Sequence, residues 1–203
     1  MPGTKESILN VALHLFAQDG YDAVSVSAIA GEIGITKGAL YKHYKNKRDI
    51  FDSIVKKMFD TDAERSKEFN VPEEEYEKQR QSYENTSIES VKSFTLAQFE
   101  FWMNDDFGAD FRKMLMLEQF KNEEMARLYE NCISKGPVLY MEDIFGGMVK
   151  RGILKEENCR QLAIEFYAPF YLLLAISDHS QNKAQLSEYL KIHIEKFFKE
   201  KQK

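Results

Sequence analysis

Residues 24–51 read VSVSAIAGEIGITKGALYKHYKNKRDIF, and their spacing sets the fold. Ser25 is placed to cap a short helix carrying Val26, Ile29, Ala30 and Ile33 at helical intervals. Gly34 breaks it, because a residue without Cβ readily takes the left-handed conformation of a tight turn. Thr36 caps a third helix of about two turns, Lys37 to Tyr44. Asn46 opens a fourth helix over about 46–66, with Asp49 where a carboxylate complements orphan N–H groups. Ile50, Phe51, Ile54, Val55 and Met58 form its apolar stripe. Upstream, Thr4 caps a first helix bearing Ile8, Leu9, Ala12, Leu15 and Phe16, which Asp19–Gly20 stops. Two short helices joined at a glycine bend and braced by a longer one make a helix-turn-helix. Ile29, Ala30, Ile35 and Leu40 supply the apolar contacts between its two helices.

Charge points the same way. The 203 residues hold 28 Lys+Arg against 33 Asp+Glu, a net of −5, which argues against a general polyanion binder. The average hides a patch. Between Ile33 and Arg48 stand Lys37, Lys42, Lys45, Lys47 and Arg48, with His43 and no acid. In a helix-turn-helix the second helix of the motif enters the DNA major groove by its N-terminal residues, and nearby cations hold phosphates.

Beyond residue 60 no strand pattern competes with helix. The stretch to Glu89 is polar and acidic, including Glu73–Glu75, and sets no clear boundary. Helical segments follow over Ile88–Asn104, Phe107–Phe120, Glu123–Lys150 (interrupted at Gly136–Pro137), Glu156–Asp178 and Gln185–Lys199. The fold class is all-α, with a DNA-binding domain over 1–60 and a second helical domain over 61–203. The most apolar run, Leu162–Ile176, is short of the roughly 20 residues of a membrane span and carries Glu165 and Pro169, so it reads as a buried helix. MPGTKES shows no secretory signal, and the cytoplasm is the expected compartment.

Catalysis and metal binding find little support. His14, His43, His179 and His193 are scattered without ligand spacing. Adjacent carboxylates such as Asp105–Asp106 and Glu123–Glu124 diverge on a helix. Cys132 and Cys159 read as packed thiols. No metal or cofactor is expected.

The segment resembles the signature of the TetR (tetracycline-repressor) family of transcriptional regulators. The resemblance rests on Ser25, Ile29–Ala30, Gly34–Ile35, Thr36–Lys37–Gly38, Leu40–Tyr41, His43–Tyr44 and Lys47, and extends through Phe16 and Gly20–Tyr21 to about residues 4–60. It implies that Thr36, Lys37 and Gly38 approach DNA at the start of the recognition helix. Tyr41 and His43 then contact phosphate or base edges, and Lys42 is a base-contact candidate. Ser25 and Ser27 touch phosphate, as does Lys47 from the fourth helix, whereas Tyr44 reads as core.

The resemblance also implies a C-terminal helical domain for effector binding and dimerisation. Twenty of the 26 aromatics lie beyond residue 60, where they fill a core or line a cavity. Gln98, Phe99, Trp102, Phe166 and Phe170 are the candidate effector residues, with Glu100 a further polar anchor, for a small apolar or aromatic effector. The last two helices would pair with their symmetry mates through Leu172, Ile176, Leu186, Leu190, Ile194 and Phe197. A charge at Leu190 is accordingly expected to give monomers. The resulting expectation is a homodimeric repressor released by ligand from a palindromic operator on double-stranded DNA, with no membrane partner. Two alternatives stay open: a constitutive DNA-binding dimer or activator with a solid second domain, and a helical enzyme that has kept a DNA-binding-like head.

Overall fold

The computed structural model describes residues 4–73 and 76–203; Glu74 and Glu75 of the acidic stretch lie outside them. The described residues form α1 (Thr4–Asp19), α2 (Val26–Ile33), α3 (Lys37–Leu40), α4 (Lys47–Glu68), α5 (Tyr76–Asn85), α6 (Ile88–Asn104), α7 (Asp106–Glu118), α8 (Glu123–Ile133), α9 (Lys135–Lys150), α10 (Cys159–Ser177) and α11 (Lys183–Lys201). Their only extended pairing is one antiparallel bridge, Leu154 to Gln202. The chain is all-α, with an N-terminal helix-turn-helix domain followed by a helical C-terminal domain.

Two compact units divide it. The first takes the chain up to Thr61 and adds Asp105–Tyr129; the second takes Asp62–Asn104 and Glu130–Lys203. This differs from the division at 60/61 alone, because α7 packs on α1. Phe111, Met114 and Leu115 of α7 are fully buried, and its buried Glu118 accepts the Tyr21 N–H at 2.9 Å. Gly20, at φ 82°, serves this contact twice. It supplies the left-handed residue after α1, and a Cβ there would lie 2.9 Å from the Glu118 carboxylate. His14 Nδ1 meets Asp110 Oδ2 at 2.8 Å on the same interface.

The core of the first unit is Ile8, Ala12, Leu13 and Phe16 of α1, Ile29 and Ala30 of α2, Leu40 of α3, and Ile50, Phe51, Ile54 and Met58 of α4. Leu13 takes the buried place that helical spacing gave to Leu15, which is only half-buried.

The core of the second unit is aromatic. Phe145, Phe166, Phe197 and Phe198 stand mutually in contact, with ring centroids 5.1–6.2 Å apart. Edge-to-face and offset arrangements of this kind add to the area buried. The α8–α9 break falls at Ser134, so Gly136 and Pro137 sit in the first turn of α9, where the missing proline N–H costs nothing. Only glycine fits at 136, since a Cβ would stand 1.9 Å from the Asn131 carbonyl oxygen.

The apolar run lies in α10, whose 19 residues are long and apolar enough to cross a membrane by length and composition alone. Its face bearing Leu162, Ala163, Phe166, Phe170 and Leu174 is instead buried within the second unit.

Candidate nucleic-acid interface

The motif is built from local chemistry. Ser25 Oγ accepts the Ala28 N–H at 3.0 Å, and Thr36 Oγ1 accepts the Ala39 N–H at 3.1 Å, so both helices carry side-chain caps. Between them Gly34, at φ 76°, closes α2 by donating its N–H to Ala30 and Gly31 carbonyls. Past Leu40 the backbone continues in bonded turns, with His43 N–H to Leu40 O at 2.9 Å and Tyr44 N–H to the same oxygen at 3.2 Å. The recognition segment therefore keeps a helical course to Tyr44, tightened in its last turn. Asn46 Oδ1 accepts the Asp49 N–H at 2.9 Å while Asp49 Oδ2 accepts the Lys45 N–H at 2.8 Å, a reciprocal cap that fixes the entry into α4.

These caps leave one face bare. Ser25, Ser27, Thr36, Lys37, Gly38, Tyr41, Lys42 and His43 are all exposed, Tyr41 at 44%. Lys37 lies 5.8 Å from the centre of the Tyr41 ring. Tyr44 is buried, with its hydroxyl donating to the Lys5 carbonyl at 3.2 Å, and burial raises its pKa.

Two basic residues leave the expected face. Lys47 Nζ donates to the carbonyls of Tyr21 at 2.7 Å, Val24 at 2.9 Å and Asp22 at 3.3 Å, and it sits 4.3 Å from the centre of the Tyr21 ring. An ammonium has three donors. All three are engaged, so Lys47 clamps the α1–α2 turn rather than standing free beside the exposed face, where a phosphate contact was expected of it. Arg48 binds Glu124 through both terminal nitrogens and Asp52 through Nε at 2.7 Å. These hydrogen bonds, Glu124 first, hold the guanidinium charged and draw the Glu124 carboxyl below its usual range.

In the second unit the effector candidates are packed rather than assembled round a hollow. Phe99 is fully buried and meets Phe170 edge to face at 5.4 Å, Trp102 contacts Phe101, and Phe166 stands at the centre of the aromatic core. An open groove of about 190 Å³ is lined by Ser134, Val138, Ile164, Tyr167, Ala168 and Tyr171 instead. Gln98 is the exception. Its Nε2 donates to Asp62 Oδ1 at 2.6 Å, and its Oε1 accepts from Arg65 Nε at 3.0 Å. The Arg65 guanidinium stacks 4.7 Å over Phe101. Burial raises the Asp62 pKa, opposed by Gln98 and Arg65, and pushes the Cys132 thiol up to about 12. Glu100 points outward and accepts from Ser187 and Asn104. Asp62 and Arg65 escape a reading of composition, although they stand four and seven residues after Met58 and so continue the inward stripe of α4.

The dimer candidates separate into two groups. Leu172 is 59% exposed and Ile176 is exposed too. Leu186, Leu190, Ile194 and Phe197 are buried inside their own unit, since that face of α11 packs on α6 and α10. The outward apolar residues of α11 are Tyr189 and Ile192.

Residues 8–54 match the family profile described as bacterial regulatory proteins, tetR family. The match covers the helix-turn-helix head alone, 47 of the 203 residues. The HTH-type transcriptional regulator AcrR of Shigella flexneri is 47% identical over 51 residues, 25% of this chain and 24% of AcrR. IcaR of Staphylococcus aureus (strain Newman), a negative transcriptional regulator of the biofilm operon icaADBC, is 38% identical over 56 residues, 28% of this chain and 30% of IcaR. These matches span less than a third of this chain and less than a third of either relative. SmeT, the repressor of the Stenotrophomonas maltophilia multidrug efflux pump SmeDEF, shares the fold along the whole chain, with a TM-score of 0.67 at 17% identity over 100% of this chain and 92% of SmeT. A SmeT–triclosan complex aligns with a TM-score of 0.72 at 16% identity, covering 98% and 92%.

Proposed function

We propose that this chain is a sequence-specific DNA-binding transcriptional repressor. The observation that carries the reading is the bare face of the recognition segment, where Thr36, Lys37, Gly38, Tyr41, Lys42 and His43 stand exposed, while Lys47 is tied to the α1–α2 turn and Arg48 is paired with carboxylates. Ser25 and Ser27 extend it at the start of α2. Phosphate contacts from this face set register, and the side chains reaching base edges carry sequence preference.

Gly38 offers a test. A Cβ there would meet only Thr36 Oγ1, at 3.9 Å, so the fold itself has room for alanine. Gly38→Ala is expected to keep or slightly raise the melting temperature, since alanine favours helix by about 0.5–1 kcal/mol. Its added methyl is expected to weaken DNA binding, measured by fluorescence anisotropy on duplex from immediately upstream of the gene. Unchanged affinity would show that DNA does not approach at this position.

The second unit serves as the effector and dimerisation domain in this reading, and the protein acts in the cytoplasm. Leu172 and Ile176 with Tyr189 and Ile192 form the face that pairs with a second copy, so that two heads meet a palindromic operator. The effector is a small apolar or aromatic molecule with a polar group that competes for Gln98, and it inserts beside Phe99, Trp102 and Phe170. Support comes from the Asp62–Gln98–Arg65 network, polar and partly buried among rings. Its Asp62 and Arg65 belong to α4, the helix whose Ile50, Phe51 and Ile54 sit in the head core. A ligand that displaces Gln98 thereby acts on α4, and differential affinity for the two positions of α4 is what shifts operator binding. Gln98→Leu is expected to abolish the response to any compound that releases DNA from the wild type. A full response in that variant would remove Gln98 from the site.

The close packing of Phe99 and Phe166 favours a second reading, a constitutive DNA-binding dimer with a solid core. Failure of a broad panel of apolar and aromatic compounds to shift either melting temperature or DNA affinity would select it.

A further inference from the structure

The cations of the first unit fall into two classes. Lys56 pairs with Asp60, Lys57 with Glu6, and Arg48 with Asp52 and Glu124, while Lys47 is held by three carbonyls. Among the described residues of this unit, Lys5, Lys37, Lys42, Lys45 and Lys121 meet no carboxylate, and all five are exposed; Lys121 lies apart, in the turn between α7 and α8. Three of these belong to the recognition segment and the turn after it. Lys5 belongs to α1, yet the fold brings it to the same place. The Tyr44 hydroxyl donates to the Lys5 carbonyl, and the Lys5 ammonium lies 5.5 Å from the centre of the Tyr44 ring. Tyr44 is the immediate neighbour of His43 and Lys45, so Lys5 joins the far end of the recognition segment as a fourth unneutralised charge.

We infer that the DNA grip extends beyond the helix-turn-helix onto α1, with Lys5 as a backbone-phosphate contact. The inference rests on the DNA-binding reading above and deepens it. Three observations support it. An ammonium without a carboxylate is free to replace a phosphate counterion, whereas a paired one must first give up its partner. The Tyr44 ring lies beside the Lys5 ammonium and the Tyr44 hydroxyl holds the Lys5 carbonyl, which restrains Lys5 against the head and lowers the entropic cost of binding a phosphate. Lys5 also lines a cleft of about 410 Å³ between α1 and α4, where Lys56 pairs with Asp60 and Lys57 with Glu6, which leaves Lys5 as the lining cation that meets no carboxylate. The contact carries no sequence information, so it strengthens binding to every duplex alike.

The test is the salt dependence of anisotropy with a fluorescein-labelled, mixed-sequence duplex of about thirty base pairs, long enough for two half-sites. Removing one phosphate-binding cation lowers the slope of log Kobs against log salt by about 0.9. Lys5→Gln is expected to lower it by that amount, with a circular dichroism melt unchanged from wild type. Lys42→Gln serves as the comparison within the motif. A slope unchanged in Lys5→Gln but reduced in Lys42→Gln overturns the inference and leaves the DNA-binding reading intact. Slopes unchanged in both variants, or no binding by the wild type, overturn the reading and the inference with it.

Discussion

Leu190→Lys destabilises the second unit rather than releasing folded monomers. Leu190 is 0% exposed on α11, in line with buried Leu186, Ile194 and Phe197. The substitution forfeits the leucine packing and places an ammonium in an apolar interior. Together these cost about 4 kcal/mol or more, the range in which a buried charge without a partner belongs. For a chain of this length that lowers the melting temperature by roughly 10 °C or more. Leu172→Lys is the paired measurement. Its side chain is already exposed, so the melt is expected to hold while light scattering reports a smaller assembly. A Leu190→Lys protein that melts like the wild type but runs as a monomer would restore Leu190 to the interface.

Lys47→Ala weakens the head without changing how it meets DNA phosphates. Its ammonium ties Tyr21, Asp22 and Val24 carbonyls to the start of α4 and lies over the Tyr21 ring. Alanine leaves those oxygens to whatever water reaches the half-buried turn, a loss of about 1–3 kcal/mol. The cation–π contact adds about 0.5–1 kcal/mol. The turn is held from the other side by Glu118 on the Tyr21 N–H, so the head loosens rather than collapses. A lower melting temperature with an unaltered salt slope is expected. A slope reduced by about 0.9 with no loss of stability would return Lys47 to the phosphate-binding set.

What the sequence makes legible is local chemistry. Ser25, Gly34, Thr36 and Asn46 act within three or four residues of themselves, and each caps or breaks its helix where its residue type indicates. Tyr44 is readable for a related reason, since it falls on the inner side of a short amphipathic segment. The misreadings are tertiary. Lys47 looks like a phosphate ligand because charge is visible in sequence and carbonyls from the preceding turn are not. On α11 both Leu186–Leu190–Ile194–Phe197 and Tyr189–Ile192 are apolar, and only the position of α6 and α10 decides which face is inside. The attachment of α7 to the head depends on Glu118 meeting Tyr21, 97 residues away in sequence. Asp62 and Arg65 sit in an acidic, polar stretch, and their composition conceals a helical register that the α4 stripe carries.

On this reading the bare face of the recognition segment meets DNA as one half of a symmetric pair. Selection from a randomised pool of duplexes, using the purified full chain at two salt concentrations, probes that pairing and its sequence preference together. The expected result is enrichment of an inverted repeat whose half-sites lie about 10–10.5 base pairs apart, or a multiple of that. The enrichment should disappear when Tyr41 and Lys42 are both replaced by alanine in a protein that melts normally. A pool that stays random at both salts, with the head folded, would contradict sequence-specific binding by this face.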